Sequence, residues 1–264
     1  MYAFKLHKPT SIEAAANLLA SFDEASLISG GQTLIPTLKQ RLANPSDLID
    51  LGGIDGLAGI SVADGVLRIG AMTRHATVAA SAEVARAIAA LSDLASGIGD
   101  PQVRNRGTLG GSVANSDPAA DYPAAVMALG ATIQTSKRSI AADDFFTGMF
   151  ETALDAGEIV TRIDFPLPQR SAYAKFPNPA SRYAVVGVFV AVFASGVRVG
   201  VTGAGPCAFR AKGFENALQA RLHPDALDAI EVPSGNFNSD LHASAEYRAN
   251  LVKVMAKRAV AALR

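Results

Sequence analysis

The residues best suited to chemistry lie between Ile98 and Pro123, centred on Gly107-Thr108-Leu109-Gly110-Gly111-Ser112. Glycines leave backbone N–H groups uncovered and permit positive φ, so consecutive N–H groups can converge on an anion such as a diphosphate. Ser112, Asn115 and Asp121 follow at short spacing and can hydrogen-bond a sugar or a ring edge, or can serve as helix and turn caps. Arg104 and Arg106 precede the glycines; they can pair with phosphate, or hold the loop to a C-terminal domain or a partner chain. The stretch is too rich in Gly, Asn, Asp and Pro for a plain helix or strand. It is also longer than the roughly 12–15 residues beyond which structureless loops are usually functional. A glycine-rich surface loop is the plain alternative.

A second stretch shifts the balance. Ala25-Ser26-Leu27-Ile28-Ser29 reads as a short strand, followed at once by Gly30-Gly31-Gln32-Thr33-Leu34-Ile35-Pro36. A strand, a glycine turn and a helix form a general phosphate-binding arrangement. The pattern is neither a Walker A loop nor a G-x-G-x-x-G fingerprint. Two glycine loops about eighty residues apart suggest one long ligand with a diphosphate at its middle, such as FAD.

Leu27-Ile-Ser-Gly-Gly-Gln-Thr-Leu-Ile-Pro36 and Gln102-Val-Arg-Asn-Arg-Gly-Thr-Leu-Gly-Gly-Ser-Val-Ala-Asn-Ser-Asp-Pro-Ala-Ala-Asp121 resemble the two FAD-binding signatures of the flavoprotein (medium) subunit of molybdenum hydroxylases, the aerobic carbon monoxide dehydrogenase and xanthine dehydrogenase family. Ser239-Asp-Leu-His-Ala-Ser-Ala-Glu-Tyr-Arg248 resembles the start of the last helix of that family's C-terminal domain. The similarity runs from end to end.

The resemblance implies an α+β fold: a two-part FAD-binding domain of the vanillyl-alcohol-oxidase/PCMH type, then a C-terminal domain with an antiparallel sheet and packed helices. It implies non-covalent FAD contacted by Ser29, Gly30, Gly31, Gln32, Thr33 and Leu34, and by Gly110, Gly111, Ser112, Asn115 and Asp121. Ile98, Gly99, Gly107, Thr108 and Ala114 match positions that flank the cofactor. Tyr183 lies where the C-terminal domain approaches the flavin, and is read either as a cover over the ring or as a strand aromatic in the core. A large subunit with the molybdenum cofactor and a small subunit with two [2Fe–2S] clusters are implied as partners, in a dimer of heterotrimers. The chain would pass electrons from the clusters through FAD to an external acceptor. The implied location is cytoplasmic, free or held at the inner membrane face through the complex. A stand-alone flavoenzyme of the same fold and a non-catalytic α/β binding protein are the competing readings.

Composition agrees with this division of labour. The 264 residues carry zero formal net charge, which leaves no electrostatic footprint for nucleic acid. The single cysteine, Cys207, excludes an internal disulfide, and an iron–sulfur cluster needs about four thiolates. Cys207 reads as a small buried or turn residue. His7, His75, His223 and His242 are scattered without metal-ligand spacing. No run of about 18 apolar residues is present, so no spanning helix is expected.

The elements that must position these residues follow. Strand Ala3–Leu6 leads to a helix capped by the box Thr10-Ser-Ile-Glu13. A helix is expected over Thr37–Leu42 and a strand over Asp47–Leu51. Glycines 52, 53, 56 and 59 open a new unit, with a hairpin turning at Asp64-Gly65. One helix is expected over Glu83–Ala95, with Val84, Ile88, Leu91 and Leu94 or Ala95 inward, and another over Tyr122–Leu129. Strands are expected at Ala131–Thr135, Arg138–Ala141 and Glu158–Phe165. The best boundary is Pro166–Arg170. It gives a FAD-binding domain over 1–168, with subdomains of about 1–52 and 53–168, and a C-terminal domain over 169–264. The latter has strands at Ala172–Phe176, Tyr183–Phe193 and Val197–Val201 and helices at Phe214–Leu222 and Ser244–Leu263. The last helix is expected to turn Tyr247, Leu251, Val254 and Ala261 inward and Arg248, Lys253, Lys257 and Arg258 outward. Gly200-Val-Thr-Gly-Ala-Gly205 reads as a turn.

Overall fold

The first fifty residues alternate strand and helix: β1 (Lys5–His7), α1 (Ile12–Ser21), β2 (Ala25–Ile28), α2 (Leu34–Lys39) and β3 (Asp47–Asp50). The computed structural model describes residues 1–264. The three strands pair in parallel in the order β1-β3-β2. Parallel neighbours need crossover connections, and the helices supply them. Ser11 caps α1, accepting from the Ala14 N–H at 3.1 Å, so the cap lies one residue beyond the expected Thr10. Helix α2 starts three residues earlier than expected because Pro36 falls in its first turn, where a missing N–H costs nothing.

The next unit is an antiparallel sheet of β4 (Ile60–Ala63), β5 (Val66–Gly70), β6 (Thr132–Thr135), β7 (Ser139–Ala141) and β10 (Val160–Pro166). Their order across the sheet is β4-β5-β10-β6-β7. Asp64 and Gly65 both adopt left-handed φ, +55° and +74°, as a two-residue hairpin turn demands. Between β5 and β6 lie α3 (His75–Ala80), α4 (Ala82–Ala87), α5 (Ala89–Ser96), α6 (Pro101–Arg106), α7 (Leu109–Asn115) and α8 (Tyr122–Leu129). After β7 come α9 (Ala142–Phe145) and the small hairpin β8 (Phe146–Gly148) and β9 (Glu151–Thr152). The helix expected over Glu83–Ala95 is broken at Ile88, whose backbone leaves helical space at φ −145°, ψ 81°. The break lets Val84, Ile88, Leu91 and Leu94 all reach the same core.

The third sheet is antiparallel, β11-β12-β13-β14, formed by β11 (Arg170–Pro177), β12 (Ala184–Phe193), β13 (Gly196–Thr202) and β14 (Phe209–Arg210). Helices α10 (Lys212–Ala220) and α11 (Ala245–Ala261) complete the chain. Strand β12 is apolar along its length because both faces are covered. Phe189 and Ala191 join the core around α8, and Val188 and Val190 join the core under α10 and α11. Helix α8 is buried on every side, between the second sheet's core and β13. It approaches β13 so closely that a Cβ on Gly200 would stand 2.1 Å from the Ala124 carbonyl oxygen.

Helix α11 corrects the expected inward face. Tyr247 is exposed, and Arg248 is only 4% exposed. The Arg248 guanidinium donates to the carbonyls of Val185 and Gly203, both at 2.7 Å, and to Asp240 at 2.7 Å. These contacts at the two terminal nitrogens offset the cost of burying the cation, while its Nε has no partner in the protein.

Candidate functional site

The long stretch from Ile98 is not structureless. Asp100 caps α6 by accepting from Val103 N–H at 2.8 Å, and Thr108 caps α7 by accepting from Gly111 N–H at 3.1 Å. The glycine-rich composition obscured two short helices whose caps are provided locally.

The second glycine run lies against residues 71–75. The N–H groups of Leu109 and Gly110 donate to the carbonyls of Thr73 and Ala71, at 3.0 and 2.8 Å, and His75 N–H donates to Gly107 at 3.0 Å. Gly111 and Ser112 donate to the Thr108 hydroxyl and carbonyl. The expected row of uncovered N–H groups is therefore absent here, since Gly107 and Leu109 to Ser112 already have protein acceptors and Thr108 N–H alone has none. These glycines serve close approach instead. An added Cβ would meet Ala71 at 2.4 Å from Gly110, the Ser29 hydroxyl at 2.6 Å from Gly111, and the His75 ring at 2.6 Å from Gly107.

The first loop is the reverse case. The backbone N–H groups of Gly30, Gly31, Gln32, Thr33 and Leu34 find no acceptor in the protein. Gly31 takes φ +68°, the left-handed step that lets adjacent N–H groups form a concave anion nest. The two loops touch: the Thr108 and Ser29 hydroxyls are 3.2 Å apart.

Between them lies a cavity of about 460 Å³. Every expected site residue lines it: Ser29 to Leu34, Ile98, Gly99, Gly107, Thr108, Gly110 to Ser112, Ala114, Asn115, Asp121 and Tyr183. The side chains of Ser112 and Asn115 are not used in any hydrogen bond within the protein and remain available to a ligand. Arg104 and Arg106 are not in the wall. Arg104 instead donates to the carbonyls of Ile98 and Gly99, at 3.0 and 3.1 Å, holding its own loop.

Asp121 is buried, and its carboxylate is committed to the third sheet. It accepts from Tyr173 Oη at 2.5 Å and from Lys175 Nζ at 3.0 Å, while Lys175 also donates to Gly97 O at 3.0 Å. Burial pushes the Asp121 carboxyl up, and Lys175 and Tyr173 oppose that shift. Thr202 Oγ1 lies 2.9 Å from Pro118 O and 2.6 Å from Ala120 O, its single proton shared between these two acceptors, and Gly203 N–H donates to Pro118 O at 2.7 Å. The third sheet thus clamps residues 118–121. It also delivers Tyr183, which is 45% exposed at the entry to β12, so the core-aromatic reading of this residue is overturned. Its phenol lies beside the Thr33 side chain, and burial with the nearby carboxylates of Asp117 and Asp121 raises its pKa.

Sequence reasoning missed His75, Met72, Asp117 and Arg182 in the wall. Asp117 sits inside the second signature and could have been found there; His75 carries no such signal. His75 is 5% exposed, and its Nδ1 has no hydrogen-bond partner. Burial, with the Arg104 charge, holds its pKa down to about 4. The Cys207 thiol is pushed up by burial and lies 3.7 Å from Phe146 O, which suits a structural thiol and not a nucleophile.

A nest of free N–H groups opposite two uncommitted polar side chains suits a long cofactor with a diphosphate at its middle. Comparison with known proteins gives the class. Residues 2–168 match the family described as the FAD binding domain in molybdopterin dehydrogenase, and the chain belongs to that family. It is 35% identical to the nicotine 6-hydroxylase medium subunit of Paenarthrobacter nicotinovorans, over 98% of this chain and 96% of that one. It is 34% identical to the carbon monoxide dehydrogenase medium chain of Afipia carboxidovorans, again over 98% and 96%. Carbon monoxide dehydrogenase from Hydrogenophaga pseudoflava, in a form lacking the Mo-pyranopterin moiety, superposes with a TM-score of 0.92 at 34% identity, over 98% of this chain and 96% of that one. The protein is an FAD-binding medium subunit of the molybdenum-hydroxylase class of oxidoreductases. No helix is long and apolar enough to cross a membrane.

Proposed function

We propose that this chain is the electron-transfer subunit of a molybdenum-containing hydroxylase, taking electrons from [2Fe–2S] clusters of a small partner and passing them through FAD to an external acceptor. A large partner carries the molybdenum cofactor and selects the substrate, in a dimer of heterotrimers within the cytoplasm. One observation carries the cofactor's place: five consecutive unpaired N–H groups, Gly30 to Leu34, on the wall facing the second glycine signature. The single cysteine supports the placement of the clusters elsewhere.

FAD, when bound, supplies the redox chemistry; the protein supplies binding, orientation and electrostatics. The Gly30–Leu34 amides hold the diphosphate. Ser112 and Asn115 bond the polar atoms of the ribityl chain or ring. Asp121, fixed by Tyr173 and Lys175, keeps its segment in register with the third sheet. Tyr183 closes the mouth against Thr33. The neutral His75 presents a buried imidazole to the cavity without adding charge. The division into units of about 1–52, 53–168 and 169–264 is part of this reading, supported by the absence of any sheet that crosses a boundary between them.

The test is the flavin, molybdenum and iron content of the protein purified gently from its native host. FAD near one per chain, with molybdenum near one and iron near four, is the expected result. FAD with neither metal and no companion chains would favour a stand-alone flavoenzyme. A folded protein that neither carries nor accepts FAD would overturn the reading.

A further inference from the structure

A second cavity, about 450 Å³, adjoins the first. Asp117, Ser181 and Tyr183 line both, so the Tyr183 side chain stands in the partition between them. One side of the second cavity is apolar, formed by Met149 and Phe150 at the tip of the β8–β9 hairpin. Phe150 is 56% exposed and takes φ +57°, an outlier for a bulky residue. The tip is nevertheless anchored. Phe150 N–H donates to Ser116 O at 3.1 Å, and Ser116 Oγ donates to Gly148 O at 3.3 Å. Ser116 ends α7, the helix of the second glycine signature. A strained backbone thus holds an exposed aromatic ring beside the cofactor cavity, the kind of strain that clusters at functional sites.

Polar side chains form another part of the lining. Asn178 bonds His242 Nδ1 at 3.2 Å, and Arg248 bonds Asp240 at 2.7 Å. Charge decides what fits. The lining holds two carboxylates, Asp117 and Asp240, and one guanidinium, Arg248, which already pairs with Asp240. Arg182 lines the first cavity and not this one. A phosphate or carboxylate would meet Asp117 with no free cation to offset it. The Ser239 hydroxyl and the second His242 nitrogen have no protein partner and can bond oxygens on a ring.

We infer that this second cavity binds an uncharged, planar, conjugated cyclic dione as electron acceptor, the chemistry of a small quinone. The assignment rests on the electron-transfer reading above. The quinone gains two electrons and two protons and becomes a hydroquinone as reduced flavin, FADH2, returns to FAD; no other reactant is needed.

The test is calorimetric titration of duroquinone into the oxidised protein, purified with its flavin and any companion chains. Duroquinone is fully substituted, so it does not add to the Cys207 thiol. In Phe150→Asn the ring is removed, and asparagine suits the left-handed backbone better than phenylalanine does. Saturable binding is expected, weakened about tenfold in F150N by loss of the ring contact, with flavin content unchanged. Absence of saturable binding, an unchanged Kd in F150N, or competitive displacement by NAD, a phosphate-bearing acceptor, would each overturn the assignment. Flavin-replete protein that fails to bind the quinone sinks this site alone. Flavin-free protein that binds it in a Phe150-dependent way sinks the proposed function and leaves the cavity's ligand class standing.

Discussion

Gly30 and Gly107 lie back to back: a Cβ added to Gly30 would stand 2.6 Å from the Cα of Gly107 and 2.3 Å from the Arg106 carbonyl oxygen. The two glycine signatures are therefore in backbone contact, and the cavity wall depends on that contact. Gly30→Ala should push the loops apart. The obstacle is backbone, which cannot rotate away, so we expect a loss of about 1–3 kcal/mol in stability. Retained flavin, read from the 450 to 280 nm absorbance ratio, should fall sharply. Gly31→Ala meets mainly the tip of the Ile35 side chain, at 2.7 Å, and pays chiefly the left-handed φ, about 1–2 kcal/mol. Equal flavin retention in G30A and wild type would contradict the proposed site.

Ser112→Ala and Asn115→Ala remove side chains that make no hydrogen bond within the protein. Each should leave the melting temperature unchanged while weakening FAD binding about fivefold, as expected for loss of one hydrogen bond of about 1 kcal/mol. Fluorimetric titration of FAD into deflavinated protein measures this. A fall in melting temperature with unchanged FAD affinity would assign them a purely structural role.

Arg248→Met leaves the buried carbonyls of Val185 and Gly203 without their donor. The expected cost is about 3 kcal/mol. For a chain of this size that lowers the melting temperature by about 5 °C, read by circular dichroism. A variant that melts like wild type would show that the outward-facing assignment from helical periodicity was right after all.

Histidine 75 makes stability depend on pH. Its pKa is about 4 in the folded protein and 6.5 in the unfolded chain. Above pH 6.5 both states are neutral and no penalty exists. As pH falls from 6.5 toward 4 the unfolded chain binds the proton first, so folding loses on the order of 3 kcal/mol. Asp117 and Asp121, raised by burial, act in the opposite direction above their ordinary 3.8. Comparison of wild type with His75→Asn cancels their contribution. Denaturant melts at pH 7.0 and 5.0 should show a larger acid loss in wild type, and parallel curves would refute this account.

Local sequence carried much of the site. The strand-to-glycine turn at Ser29–Leu34 and the run at Gly107–Ser112 were legible because short motifs fix backbone shape with nearby residues. The Asp64-Gly65 hairpin and the apolar β12 were legible for the same reason. What stayed hidden depended on partners distant in sequence. Nothing local reveals that the Leu109 to Ser112 amides are already taken, since the acceptors for Leu109 and Gly110 are carbonyls at Thr73 and Ala71. Nothing local assigns the Asp121 carboxylate to Tyr173 and Lys175, more than fifty residues away. Helical periodicity turned Arg248 outward because it scores charge, whereas tertiary packing supplied two carbonyls and Asp240 to satisfy that charge inside. The order of residues suffices to establish two glycine loops and too few cysteines for a cluster. Which loop keeps its N–H groups free is settled by folding, because a backbone donor is available to a ligand only when no other part of the folded chain has reached it first.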